Sequence, residues 1–306
     1  MAVSFLKIFS RQQQDFSGFA LANGSIILQA ESKHKNILKL AYFFNCKITS
    51  FFNCKITFLS YNYCMEKVQN IVEYYDELYP VTESQKIFFK NESSGCKQPV
   101  KYLRIGCGTG MFEISLAQEG ADVTGIEPFK ELLDSANRHR RSQLMSIRFF
   151  QMSPIEMNRF LGKSFYNIIS CLDSRIEFIN DPVLIRKFFF DTKELLAKNG
   201  KLILKLRNYE HFTKNLEILP EISNIRICMR TQIRTLEDGK KVLDQEIKTG
   251  NGHICSVFKD KPIYPLTRTE IQEFGREVGY KNFQFYSNYD KVSFSSNSEE
   301  LIAVIS

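Results

Sequence analysis

The spacing of apolar positions along the chain changes several times, and each spacing predicts a kind of element. Residues 67–78 carry apolar side chains at helical intervals, and Thr82 can cap a second helix that runs towards Phe89. Short apolar runs then alternate with helical segments. The predicted strands cover 100–105, 121–126, 147–151, 166–171 and 201–206, and the predicted helices cover 111–119, 130–140 and 183–196. Strands that alternate with helices predict a parallel sheet with helices on both faces.

After the fifth predicted strand the spacing becomes a strict alternation. Residues 225–234 place Ile225, Ile227, Met229 and Ile233 on one side and Arg226, Arg230, Gln232 and Arg234 on the other. Asp238-Gly239 and Asn251-Gly252 predict hairpin turns, and 242–248 and 253–258 predict the returning strands. A helix at 270–278, capped by Thr267, and strands at 282–286 and 301–305 follow. The predicted fold is therefore α/β: a Rossmann-like, doubly wound, seven-stranded mixed sheet with a small antiparallel β insertion at 210–262, after the fifth strand.

Residues 1–64 show a different pattern. The heptapeptide at 43–49, Phe-Phe-Asn-Cys-Lys-Ile-Thr, recurs unchanged at 51–57, and structural repeats have much longer periods. One interpretation is a recent duplication in a leader wrongly assigned to the protein, with Met65 as the natural start. The other is a segment that binds a membrane surface or a partner, since it mixes Phe with Lys. We therefore predict an uncertain N-terminal extension at 1–64 and one domain at 65–306.

Composition and charge narrow the class of protein. A hydrophobic content of 43% and a charged content of 25% predict a soluble globular chain, and we find neither a bilayer-spanning run nor a secretory signal. The eight cysteines form no metal-binding pattern, which predicts reduced thiols in the cytoplasm and no metal site. The net charge of +7 divides into +5 at 1–64 (7 minus 2) and +2 elsewhere (34 minus 32). We therefore expect neither a nucleic-acid nor a membrane partner for the domain. The oligomeric state is left open.

The candidate chemistry centres on a glycine-rich turn. Gly106, Gly108 and Gly110 follow a predicted strand and begin a predicted helix, where glycine allows a tight turn and the close approach of a ligand. Glu127 ends the next strand, where an acid can accept hydrogen bonds from ribose hydroxyls. A dinucleotide site has the spacing G-x-G-x-x-G, but Met111 occupies the third glycine position here. A turn with only a structural role is the alternative.

The G-x-G-x-G spacing resembles the first motif of class I S-adenosylmethionine-dependent methyltransferases. The resemblance covers roughly 68–306, and the matching segments are 103–110, 124–128, 150–154 and 165–173. Residues 74–79, 206–210 and 264–267 are similar to glycine N-methyltransferase and related bacterial small-molecule methyltransferases. The resemblance implies S-adenosylmethionine as cofactor and methyl transfer to nitrogen or oxygen of a small molecule.

The resemblance also implies the site residues. The candidate cofactor-binding residues are Tyr74, Gly106, Cys107, Gly108, Gly110, Glu127, Pro128, Met152, Ser153, Cys171 and Leu172. The candidate catalytic residues on the acceptor side are Tyr75, Arg207, Asn208 and Tyr209. Arg226, Arg230 and Arg234 have two interpretations, a solvated strand face or partners for an acidic substrate.

Two residues depart from the family pattern. Arg104 stands where the family usually has Asp, next to the cofactor's ammonium group, and Ser153 stands where Asp is frequent. Arg104 either opposes the ammonium charge or turns towards another carboxylate. These departures keep a second hypothesis open, a catalytically inactive module for cofactor binding or interaction. An RNA methyltransferase is a less favoured third hypothesis, because only 1–64 offers a basic addition.

Overall fold

The computed structural model describes residues 68–140, 146–211 and 217–306, with backbone only at 217–218. It also describes the backbone of two short antiparallel strands, β1 (Phe19–Ala22) and β2 (Ser25–Leu28). The chain divides into two compact units, Met1–Leu59 and Ser60–Ser306. The repeat at 43–57 and most of the extension predicted at 1–64 lie outside the described residues. The domain limits therefore stay predictions.

A seven-stranded sheet forms the centre of the larger unit, as predicted. Its strands are β3 (Lys101–Ile105), β4 (Asp122–Glu127), β5 (Ile147–Gln151), β6 (Tyr166–Cys171), β7 (Leu196–Arg207), β13 (Phe283–Tyr286) and β14 (Glu300–Ile305). Their order across the sheet is β13-β14-β7-β6-β3-β4-β5. Strands β3 to β7 are parallel to one another, and β14 is antiparallel to both β7 and β13. The carboxyl ends of the five parallel strands thus meet at one edge, where ligands bind in open α/β sheets.

Helices cover both faces of this sheet. They are α1 (Tyr75–Leu78), α2 (Glu83–Glu92), α3 (Met111–Gln118), α4 (Lys130–His139), α5 (Met157–Phe160), α6 (Pro182–Leu195) and α7 (Arg268–Glu277). One apolar cluster packs Leu103 and Ile105 against α6 and α7, and a second packs Tyr102 of the same strand against α2 and α3. The predicted caps are confirmed, because Thr82 accepts a hydrogen bond from the Gln85 amide and Thr267 forms a capping box with Glu270.

The predicted insertion is a separate antiparallel sheet. Its strands are β8 (Glu217–Ile218), β9 (Ile222–Ser223), β10 (Ile227–Thr235), β11 (Lys241–Thr249) and β12 (Ile254–Ile263). The order is β12-β11-β10-β8, with β9 also paired to β10. Its apolar side chains, including Met229 and Ile247, pack with Val68, Ile71 and Tyr75. The insertion therefore buries the segment that contains α1.

Three details of the predicted elements were wrong. The helix predicted over 67–78 is interrupted at residues 73–74, so that α1 is separate. Ile225 does not join the apolar side of β10, since the strand begins at Ile227 and Ile225 is 94% exposed. Strand β7 begins at Leu196, because Tyr166 pairs with Leu196 and holds this segment extended. Asn199 takes a positive φ there, so Asn199-Gly200 forms a bulge within the strand.

Among residues 68–140, 146–211 and 217–306, no helix has both the length and the apolar character that crossing a bilayer requires.

Candidate active site

The glycine-rich turn lies at the carboxyl edge of the sheet, between β3 and α3. Gly106, Gly108 and Gly110 have φ values of 72°, 59° and 76°, a region that side chains other than glycine's rarely adopt. The amides of Gly106 and Cys107 donate to the carbonyl of Ile126 on the neighbouring strand. The turn is thus fixed against β4 and delivers the chain into α3 at Gly110.

Glu127 holds this turn through its carboxylate. Its Oε2 accepts a hydrogen bond from the Gly108 amide at 2.9 Å, and its Oε1 accepts one from the Phe129 amide at 3.1 Å. The residue is 0% exposed. Each carboxylate oxygen has a second lone pair, so Glu127 retains capacity to accept from a ligand. Glu127 can contact a ribose only if the side chains that now bury it move away.

The side chains of Tyr75 and Arg175 lie on the glycine turn. A Cβ added to Gly108 would overlap the Tyr75 phenol, and one added to Gly106 would lie 2.9 Å from Cγ of Arg175. Arg175 donates a hydrogen bond of 2.8 Å to the Tyr75 hydroxyl. Burial raises the pKa of Tyr75, so this hydroxyl stays protonated. Tyr75, a predicted catalytic residue, therefore lies directly on the turn, and Arg175 is a site residue that the sequence pattern does not single out.

Arg104 turns towards two carboxylates, which is one of its two predicted alternatives. Its Nη2 donates to Asp173 at 2.9 Å, and its Nε lies 3.3 Å from Oε1 of Glu113. Asp173 and Ser174 follow β6 with φ values of 53° and 58°, unusual for residues other than glycine. This backbone shape brings Asp173 to Arg104. The guanidinium therefore leaves the region beside Glu127, which Tyr75 fills instead.

The carboxyl groups around Arg104 have opposite pKa shifts. Burial raises the pKa of Glu113 to about 7, and Arg104 offsets only part of that rise. Burial alone would also raise the pKa of Asp173, but Arg104, Lys205 and Arg175 hold it below its usual value. Asp173 is thus the ionised partner of Arg104 at neutral pH, whereas Glu113 titrates close to pH 7.

A cavity of about 420 Å³ opens beside the turn at the carboxyl edge of the sheet. One wall comes from the turn and α3, a second from the segment around α1, and a third from the ends of β6, β7 and β14. Residues from these walls include Tyr75, Tyr79, Arg104, Cys107, Thr109, Glu113, Asp173, Lys205, Arg207, Tyr289 and Glu300. Three predicted site residues, Tyr75, Cys107 and Arg207, thus face one volume that is large enough for a small molecule.

The predicted residues after β7 have three different surroundings. Arg207 lines the cavity and pairs with the buried Glu177, whose other oxygen accepts from the Tyr209 hydroxyl at 2.7 Å. Asn208 is buried and donates to the carbonyls of Ser296 and Ser298 at 3.1 and 2.7 Å. It therefore anchors a loop near β14, and Glu177, which the sequence pattern does not single out, organises Arg207 and Tyr209.

The remaining predicted cofactor residues lie at or just after the ends of β4, β5 and β6, except Tyr74, which lies before α1 and packs near the insertion. Cys171 and Leu172 are buried, and burial raises the pKa of the Cys171 thiol to about 12. Met152 and Ser153 are half-buried after β5, and the Met152 amide donates to the Glu127 carbonyl at 3.3 Å. Pro128 and Tyr74 are also half-buried, and the Arg226 guanidinium lies 5.6 Å from the centre of the Tyr74 ring.

Arg230 and Arg234 on β10, and Arg226 just before it, each bind nearby carboxylates. Arg226 pairs with Glu73 and Glu77, Arg230 with Glu221, and Arg234 with Asp244 and Asp260. These pairs are largely exposed to solvent. They favour the interpretation of a solvated strand face over that of a substrate-binding row.

The central sheet and its helices have the Rossmann-like fold found in methyltransferases. Residues 103–200 match the family described as "Methyltransferase domain", a segment that contains the turn, Glu127 and Asp173. Residues 103–200 thus have the sequence pattern of a methyltransferase domain.

Known proteins with related sequence or fold agree with this assignment. A ubiquinone biosynthesis O-methyltransferase of Psychrobacter cryohalolentis is 33% identical over 109 residues, which are 35% of this chain and 41% of that protein. The chain spans about half or less of the length of the curated relatives it matches, 53% and 41% for two of them.

Two solved structures share the fold. One is an S-adenosylmethionine-dependent methyltransferase of Clostridium acetobutylicum, with a TM-score of 0.64 and 15% identity over 77% of this chain and 97% of that one. The other is the S-adenosylmethionine-bound amino pentose methyltransferase CalS10 of Micromonospora echinaspora, with a TM-score of 0.55 and 16% identity over 76% of this chain and 96% of that one.

Proposed function

We propose that this protein transfers the methyl group of S-adenosylmethionine to a nitrogen or oxygen atom of a small molecule. The observation that carries this proposal is the position of the glycine turn. It lies at the carboxyl edge of a parallel sheet, is held by the buried Glu127, and borders a cavity of about 420 Å³. This combination provides backbone close to a ligand, a carboxylate for ribose hydroxyls and an enclosed volume for an acceptor.

The residues present fit the cofactor. Gly106 and Gly108 take positive φ values that allow a tight turn close to a ligand, and Glu127 has remaining acceptor capacity. On this proposal Glu127 and Pro128 bind the ribose side, Met152, Ser153 and Leu172 surround the adenine, and Cys107 and Tyr74 complete the site with the turn. The cofactor supplies a methyl group on a positively charged sulfur, already activated for transfer.

The protein's own contribution is position and exclusion of water. Holding two reactants in the right geometry can lower a barrier by about 7–11 kcal/mol, so a strong general base is optional. Tyr75 and Arg207 face the cavity and can orient an acceptor, while Tyr209 supports Arg207 through Glu177. Asn208 acts indirectly by fixing the loop at 295–298. Tyr75 must move away from Gly108 before the nucleoside can reach Glu127.

The size of the cavity, about 420 Å³, favours a small acceptor. Its lining mixes tyrosines with paired cations and carboxylates, which suits a polar metabolite. Two similar proteins, an amino pentose methyltransferase and a ubiquinone biosynthesis O-methyltransferase, are consistent with nitrogen or oxygen as the acceptor atom.

Calorimetric titration with S-adenosylmethionine and S-adenosylhomocysteine tests the cofactor site. We expect saturable binding of both to the wild type, and at least about a tenfold weaker affinity for Glu127→Gln, because the amide can accept with only one oxygen. Glu119→Gln, an exposed change at the end of α3, is the matched control and keeps the wild-type affinity. Product formation is then followed as S-adenosylhomocysteine released with a panel of amines and alcohols. Absence of binding to the wild type would refute the proposal.

One observation favours a second candidate function. Because Tyr75 and Arg175 cover Gly106 and Gly108, the chain also fits an interaction module that has lost its cofactor. The two candidates differ in one measurement. The chain has no Trp, so Tyr75→Trp provides a single fluorescent reporter at the turn. An enzyme predicts a saturable change in its emission with S-adenosylhomocysteine, whereas the inactive module predicts none.

A further inference from the structure

Arg104 has hydrogen-bond donors without acceptors in a buried place. The side chain is 7% exposed, and Nη2 donates to Asp173. Its Nε lies 3.3 Å from Oε1 of Glu113, but its Nη1 has no partner, and among the buried side-chain atoms of the described residues no arginine other than Arg104 has a nitrogen without a hydrogen bond. The guanidinium stays charged at any ordinary pH. A buried charged donor without a partner costs free energy, so this arrangement indicates a missing acceptor.

The position of Arg104 in the wall of the cavity indicates where the missing acceptor would bind. Arg104 lines the 420 Å³ cavity together with Cys107 and Thr109 of the turn. The two other cations of this lining are already paired, Lys205 with Glu300 at 2.6 Å and Arg207 with Glu177. Arg104 thus offers unused donors to a ligand at the turn. The two N–H groups of its Nη1 can donate to a carboxylate oxygen of a ligand.

We propose that Arg104 binds the carboxylate at the methionine end of S-adenosylmethionine, with Asp173 holding the guanidinium in place. This inference rests on the proposed function, because it assigns one end of the cofactor. The turn on which the cofactor is proposed to lie follows Arg104 after a single residue, Ile105. An acceptor bound near β7 and β14 would instead meet Lys205, Arg207 and Glu300. The cofactor's carboxylate is therefore the anion that the position of Arg104 favours.

Two ligands that differ in this one end test the proposal. S-Adenosylhomocysteine carries the amino-acid end, and 5′-methylthioadenosine lacks it. We expect the wild type to bind the first more tightly in calorimetric titration. In Arg104→Gln the ratio of the two affinities should fall at least about tenfold, because the variant loses a charge-assisted hydrogen bond to the carboxylate. The affinity for 5′-methylthioadenosine should change less than about threefold.

Removal of Arg104 leaves Asp173 and Glu113 buried without the guanidinium that pairs with them. A control must therefore verify that the variant still folds. The double variant Arg104→Gln/Asp173→Asn keeps the local charge close to balance, and circular dichroism with thermal unfolding verifies its structure. Lys201→Gln is the matched control, because Lys201 also pairs with a buried carboxylate, Glu92 at 2.9 Å, but does not line the cavity. It should leave the affinity ratio at the wild-type value.

The outcomes separate this inference from the proposed function. A reduced ratio in the folded Arg104 variants, with an unchanged ratio in Lys201→Gln, supports the inference. An unchanged ratio in the Arg104 variants overturns it, including the case in which Arg104 serves an anionic acceptor, and leaves the proposed function standing. If the wild type binds neither ligand, the proposed function fails and the inference fails with it.

Discussion

At the scale of single residues, Glu113 combines a favourable position with an unfavourable environment. It lies in the first turn of α3, where the partial positive charge of a helix end favours an acid. It is nevertheless 1% exposed, and burial raises its pKa to about 7 from an ordinary value of 4.5. The ionised form is therefore disfavoured in the folded protein, in spite of the neighbouring Arg104.

This shift predicts a pH-dependent effect of Glu113→Gln. Between pH 4.5 and 7 the folded wild type retains a proton that the unfolded chain has lost, so its free energy of unfolding falls as the pH rises through this window. Glutamine removes this titration. We expect the stability of the variant relative to the wild type to increase from pH 5 to pH 8, by at most on the order of 3 kcal/mol.

Urea unfolding of both proteins at several pH values measures this difference. Titrations elsewhere in the chain are common to the two proteins and cancel. Glu119→Gln, which is exposed, should give a difference that does not vary over the same range. A constant difference for Glu113→Gln as well would show that the buried carboxyl does not carry the raised pKa.

The contacts of Arg104 mark the limit of what the residue pattern could predict. The sequence showed that Arg104 stands where the family usually has Asp. It did not predict towards which groups the guanidinium turns. Its partner Asp173 lies 69 residues further along the chain, and the pair forms only because β6 lies beside β3 in the sheet. Likewise Tyr75 meets Arg175 across 100 residues. No local spacing reports such pairs, so the cover of the turn could not be predicted.

At the scale of elements, a short 3₁₀ segment after β6 links the turn to the acceptor side. This segment, Arg175–Phe178, places Arg175 on Gly106 and Glu177 between Arg207 and Tyr209. The Glu177 carbonyl also accepts from the Tyr264 amide at 2.7 Å, at the exit of the insertion. Glu177 therefore holds Arg207 and Tyr209 through its buried carboxylate and the exit of the insertion through its backbone carbonyl.

We expect Glu177→Gln to lower the free energy of unfolding by about 2–3 kcal/mol, because the amide cannot accept from both Arg207 and Tyr209 and leaves Arg207 without its counter-charge. Glu194→Gln is the control. Glu194 pairs with Lys163 at 3.2 Å on an exposed surface, where loss of the pair should cost less than about 1 kcal/mol. Denaturant unfolding of both variants checks the prediction, and equal costs would contradict the role of Glu177 as a buried link.

The elements that the sequence predicted well are those with a local signal. The alternation of apolar and polar residues predicted the insertion, and the apolar runs between helical segments predicted the central sheet. Burial of a strand on one face or on both faces imposes these patterns. The predictions that failed concern segments whose conformation depends on residues that are distant in the sequence. Leu196 is extended because Tyr166 pairs with it, and the helix at 68–72 stops before Tyr75, whose ring then packs onto Gly108.

At the scale of the whole molecule, the described site belongs entirely to one compact unit. Unit Ser60–Ser306 contains the central sheet, the insertion, the turn, Glu127 and the cavity. Its two apolar clusters on either side of the central sheet are built from residues 88–305. The third cluster begins at Val68, in the helix before α1. Every contact that the proposals use therefore lies after residue 67.

We therefore expect a chain that begins at Met65 to fold and to bind S-adenosylhomocysteine within about threefold of the full-length affinity, which corresponds to less than about 0.7 kcal/mol. Thermal unfolding and calorimetric titration of the two proteins measure this directly. A second truncation, beginning at Glu83, is the informative contrast, because it removes Val68, Ile71 and Tyr75 from the cluster that packs against the insertion. It should unfold at a lower temperature. If the Met65 chain bound the ligand much more weakly, residues 1–64 would contribute to the function of the protein. If only the full-length chain acted on RNA, the RNA methyltransferase hypothesis would replace the small-molecule hypothesis argued from the cavity.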